Sequence, residues 1–144
     1  MTRVLLAAFR GAVGAMAMTG MRTFAAHAGL IRESPPNQLA KKGMRGVVRR
    51  IPRKRRPMVV ELVHWIVGAM AGALFGLLPD RVRHLPGSGP VYGVTVWLGF
   101  DAVVAPALGL QVRDWPRAHE RAVFLADHAL FGLVLDELGA RAQE

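Results

Sequence analysis

Two histidines stand on apolar runs with the same spacing to a glycine: His64 opens HWIVG (residues 64–68), and His128 lies in DHALFG (residues 127–132). Arg22, Asp101 and Asp127 are further ionisable residues within apolar stretches. Such a group costs about 3 kcal/mol or more at the centre of a bilayer unless it is paired, so it marks a site or a structural partnership. Imidazole beside carboxylate is the usual material of proton relays. Arg22, His64, Asp101, Asp127 and His128 are therefore expected to form one intramembrane polar cluster that handles protons, ions or a small solute. Two alternatives stay open. The cluster could only lock the helices together, with Asp101 pairing with Arg22, or His64 and His128 could be the axial ligands of a haem b. His64, His128 and Asp127 are acceptable ligand types for zinc or iron, but no metal site is assigned.

Little else in the sequence could carry a reaction. The 144 residues contain no cysteine, which excludes disulfides, thiolate metal sites and a thiol nucleophile. The two serines, Ser34 and Ser88, lie outside any G-x-S-x-G elbow, and no phosphate-binding glycine loop joins a strand to a helix. No enzyme class is indicated, and no cofactor is required.

The elements that must position the cluster follow from the composition. Hydrophobic residues make up 52% of the chain, yet its formal charge is +9. The charge is segregated: residues 32–56 hold ten of the 19 Lys and Arg and one of the ten acids, leaving nine of each elsewhere. Apolar runs at 4–28, 58–78, 91–110 and 122–138 predict an all-α, four-helix polytopic membrane bundle as a single domain over 1–144. A 21-residue helix rises about 31 Å, close to the thickness of a hydrocarbon core. Pro- and Gly-containing breaks separate the runs. Basic residues near membrane spans are retained inside, so the loop at 32–57 is expected in the cytoplasm and both termini outside, in a bacterial cytoplasmic membrane. Residues 1–28 also read as a secretory signal ending in the A-x-A of residues 26–28, although Arg22 falls where such a region is normally uncharged.

Gly68, Gly72 and Gly76 share one helix face, and Ala7, Gly11, Ala15 and Thr19 make a matching stripe in the first helix. Small residues at this spacing let helix backbones approach closely in lipid, within the bundle or in a homo-oligomer. The basic residues Arg49, Arg50, Arg53, Lys54, Arg55 and Arg56 are expected to set topology and contact anionic headgroups. No aromatic residue interleaves them for base stacking, which disfavours nucleic acid as a partner; the alternative to a homo-oligomer is another membrane protein as partner. The segments GLIRESP (29–35) and GLQVRDWP (109–116), with the two His-x-x-x-Gly motifs, suggest a duplicated helical hairpin in parallel orientation.

GAVGAMAMTGM (11–21), HWIVGAMAGALFGLLP (64–79), VYGVTVWLGFDAVVAPALGL (91–110) and DHALFGLVLD (127–136) together resemble the YagU-like small membrane proteins of bacteria. The resemblance implies a four-helix membrane fold, with acid tolerance associated with one branch, and implies no reaction. The basic loop departs from that pattern.

Overall fold

The structure, a computed structural model, describes residues 2–31, 50–107 and 118–140. Among these residues every regular element is a helix, with four substantial ones: α1 (Thr2–His27), α2 (Arg56–Leu77), α3 (Ser88–Gly99) and α4 (Ala118–Ala140). A 3-10 turn at Arg53–Arg55 leads into α2, and a single helical turn, Asp80–Arg83, links α2 to α3. Arg49 and most of the expected basic loop lie outside the described residues, as does the end of the expected third span.

Local sequence explains where the helices stop and start. Gly29 takes a left-handed φ of 72° just past α1. The Leu30 N–H returns to the Ala25 carbonyl (2.9 Å), giving the six-to-one closure of a glycine-capped helix end. Pro57, in the first turn of α2, has a ring suited to a position where no N–H partner is needed. In α3 the regular helix gives way to a wider π turn at Phe100–Val104, followed by a short α-helical turn, Ala105–Ala107. Pro106 lacks the N–H that would bond the carbonyl four residues back and crowds it, so the loosening falls where the sequence cannot complete an α ladder.

Small residues determine the packing. A Cβ at Gly72 would lie 2.8 Å from the Gly11 Cα and overlap the Ala7 carbonyl; one at Gly76 would lie 2.7 Å from the Ala7 Cβ. At Gly68 it would overlap the Ala15 side chain. The seam between α1 and α2 is thus closed within one chain, along the stripes read from the sequence. A second seam joins α3 and α4, where Gly89 and Gly93 meet the backbone of His128 and Gly132. Each pair is antiparallel, and α2 and α4 each carry a His-x-x-x-Gly motif.

Helix α1 holds the pairs together by presenting two faces. Ala7, Gly11 and Ala15 face α2, whereas Gly14, Met18, Arg22 and Ala25 face α4, three or four residues apart. Gly14 lies against the Phe131 ring. Met18, Phe75, Phe131 and Leu135 form one core cluster, with Tyr92 of α3 packed on it; Ala25, Ile31 and Phe124 form another, nearer the basic turn. The Tyr92 hydroxyl donates to the Ala71 carbonyl at 2.7 Å, tying α3 to α2.

Many large apolar side chains lie on the outside of this assembly. Phe9, Leu62, Ile66, Met70, Leu74 and Val91 are all more than half exposed. Two helical stretches, Thr2–His27 and Arg53–Leu77, are long and apolar enough to cross a membrane.

Candidate functional site

The second face of α1 ends at Arg22, whose side chain is 4% exposed. Its Nη1 lies 3.2 Å from Oδ2 of Asp127 on α4, itself 1% exposed. Its Nη2 lies 3.3 Å from the Thr19 hydroxyl and 3.9 Å from Oε2 of Glu61 on α2. One guanidinium therefore stands between two carboxylates on two different helices. Charged groups withdrawn this far from water need such partners, because burial without them is strongly unfavourable.

Thr19 organises the α2 side. Its oxygen is within reach of the Arg22 Nη2 and of Trp65 Nε1 (3.4 Å), both donors. Its single proton has two acceptors, Glu61 Oε2 at 2.8 Å and the Ala15 carbonyl at 3.1 Å. The shorter, charge-assisted bond to Glu61 is the stronger of these. Thr19 thus couples the carboxylate of α2 to the guanidinium of α1, continuing the small-residue stripe as a polar hinge.

Two buried polar atoms in this region have no hydrogen-bond partner, Oδ1 of Asp127 and Nε2 of His64. Buried polar atoms are nearly always satisfied, so each such exception calls for an explanation. His128 is one residue along from Asp127, with Nδ1 on the Phe124 carbonyl at 2.8 Å, which places the ring proton on that nitrogen. The His128 ring lies beside Trp97 of α3, with centroids 6.4 Å apart.

Arg22, Asp127, His64 and His128 all fall at the end of the bundle nearest the basic turn. Asp101 sits in the π turn of α3 and pairs with Arg121 (3.4 Å), whose guanidinium also lies over the Trp97 ring at 5.8 Å. Its partner is Arg121 and not Arg22. Glu61, and Thr19 of the small-residue stripe, are also members of the network. Their signal was their register: Thr19 continues the stripe Ala7-Gly11-Ala15, and Glu61 faces it three residues before His64. Gly89 and Gly93 were likewise legible as a four-residue repeat opposite Gly132.

Among the described residues, no group of three or more His, Cys, Asp or Glu side chains could hold a metal ion. The cation already present at the centre is Arg22.

A family model described as "Family of unknown function (DUF6789)" matches residues 1–144. The chain belongs to this family. No curated protein and no solved structure matches the chain.

Proposed function

We propose that this DUF6789 chain is a multi-pass protein of a bacterial cytoplasmic membrane, a four-helix bundle whose buried cluster takes up and releases a proton. The membrane reading is supported by the two long apolar helices, by the large apolar side chains on the exterior and by the four exposed cations in the turn that opens α2. The start of α1 and the end of α4 lie together at the opposite end, consistent with both termini being outside. The YagU-like resemblance fits the same reading through the fold it implies.

The observation that carries the functional part is the pair of orphaned buried atoms, Asp127 Oδ1 and His64 Nε2, beside Arg22. With both imidazoles counted as neutral, one guanidinium faces two carboxylates, and the cluster has a formal charge of −1. One added proton makes it neutral, and the orphaned Asp127 Oδ1 is the place to put it. When Asp127 accepts that proton, Arg22 keeps Thr19 and Glu61 as partners. A proton suits this site better than a metal ion or organic cation, because the guanidinium already fills the cationic position.

The test is a pH-sensitive dye in proteoliposomes, together with cytoplasmic pH and acid survival in cells. His64→Ala and His128→Ala are expected to alter the proton response while leaving insertion unchanged. Unchanged responses in every one of these assays would remove the proposal.

A second reading has its own observation. The Arg22–Asp127 bond links α1 to α4 and so holds the two hairpins together. In this reading the chain is a structural or partner-binding subunit, the same substitutions act only on stability, and a stoichiometric partner is recovered in mild detergent. A haem bridging His64 and His128 would lie where α1 brings Arg22 between α2 and α4. An absorption spectrum without a Soret band removes that alternative.

A further inference from the structure

The turn that opens α2 is the part of the expected basic loop that the structure describes. Arg50, Arg53, Lys54 and Arg55 are all exposed. None has a carboxylate partner among the described residues. Three carboxylates at this end of the bundle have other neighbours: Glu61 bonds Thr19 and faces Arg22, Asp127 bonds Arg22, and Asp101 bonds Arg121. The opposite end contrasts with it, since Arg3 and Arg83 both pair with Asp80.

The four cations are also held in an ordered frame. The Arg55 N–H donates to the Pro52 carbonyl (2.9 Å), and Arg56 Nε donates to the Ile51 carbonyl (3.0 Å). Pro52 and Pro57 fix the backbone on either side. Ile51 and Arg56 are half-buried. A pre-ordered display loses less conformational freedom on binding than a flexible tail does.

Below the turn, the exposed surface of α2 changes at once from charged to apolar, at Met58 (65% exposed) and Leu62 (51%). Unpaired cations directly above an apolar band match a phospholipid, phosphate outward and acyl chains alongside. A soluble anion would use only the upper half, and a nucleic acid would find no aromatic side chain in the turn on which to stack.

We propose that the turn from Arg50 to Arg56 is a binding surface for the phosphate groups of anionic phospholipids, with the acyl chains along the Met58–Leu62 face of α2. The proposal rests on the membrane-spanning reading and not on the chemistry of the buried cluster. Each near-surface charge contributes about a fivefold factor in affinity for an anionic membrane, so removing all four is expected to weaken binding by a few hundredfold.

The test uses the full chain purified in a neutral detergent. Native mass spectrometry measures retention of phosphatidylglycerol against phosphatidylcholine. Wild type is expected to prefer the anionic lipid, and Arg50→Gln, Arg53→Gln, Lys54→Gln and Arg55→Gln combined are expected to abolish that preference. Arg81→Gln, exposed at the other end of the bundle, is expected to leave it intact. Inorganic phosphate is the second arm, and displacement of the lipid by millimolar phosphate would show a soluble-anion site and overturn the proposal. Preferential binding of a short DNA duplex would overturn it as well. Alkaline extraction of membranes is the control. A quadruple variant that stays in the membrane yet keeps the lipid preference refutes this proposal alone, whereas a wild-type chain extracted from the membrane refutes the membrane reading with it.

Discussion

Replacing Arg22 by methionine and Asp127 by leucine, singly and together, separates the pair from its surroundings. Removing one partner of a buried ion pair typically costs about 3–5 kcal/mol, because the other charge is left buried without compensation. The structure orders the two single variants within that range. Asp127→Leu leaves Arg22 with the Thr19 hydroxyl at 3.3 Å and Glu61 at 3.9 Å, so the loss is expected near 3 kcal/mol. Arg22→Met leaves Asp127 with both oxygens unpartnered in a side chain that is 1% exposed, so the loss is expected near 5 kcal/mol. The double variant replaces the pair by apolar groups and is expected to lie within about 2 kcal/mol of wild type, since such replacements are often neutral. The coupling energy is then several kcal/mol and of the sign that favours the pair. Reversible unfolding in mixed detergent micelles, followed by tryptophan fluorescence, measures all four proteins. Additive losses in the double variant would refute the reasoning, as would single variants as stable as wild type.

Two further outcomes follow from other parts of the molecule. Gly72→Leu places a Cβ against the backbone of Ala7 and Gly11, which cannot move like a side-chain tip, so it is expected to destabilise by about 3 kcal/mol, the upper part of the overpacking range. Gly20→Leu, where a Cβ meets nothing, is its control in the same unfolding assay; equal effects of the two would contradict the seam. Asp80 lies outside the spans, and the hydrogen bond from Arg83, with the charge of Arg3, holds its carboxyl below the ordinary value of about 3.9. Its contribution to stability is therefore present above that ordinary value and is lost as the pH falls through the depressed one. Carbon-detected NMR titration is expected to show the depression, with Arg83→Ala returning it toward normal; a wild-type Asp80 that titrates like a free aspartate contradicts the ion pairs.

The helices and the α1–α2 seam were legible in the sequence because both follow from local spacing. Glycine every four residues states a face, and Gly68, Gly72 and Gly76 meet the face that Ala7, Gly11 and Ala15 offer. The membership of the buried cluster was legible in kind and only partly in identity. Arg22, His64, Asp127 and His128 stood out as ionisable residues on apolar helices at similar depth. Which carboxylate would reach Arg22 depends on the rotation of α1 and α3 about their own axes, and that is set by packing. Gly14 and Met18 turn Arg22 toward α4, where it meets Asp127. The π turn before Pro106 breaks the regular phase of α3, and Asp101 goes to Arg121. Nothing local to Glu61 marks its bond to a threonine 42 residues earlier.

The central claim is that Asp127 takes up and releases a proton inside the bundle. The most direct measurement is infrared difference spectroscopy of the full chain in lipid nanodiscs, with carbon-13 in its aspartates and the pH stepped across the neutral range. The account predicts an isotope-shifted carboxylic-acid band that appears and disappears reversibly, is lost in Asp127→Asn, and is altered by His64→Ala. A wild-type spectrum without such a band, or a band that survives in Asp127→Asn, would contradict it.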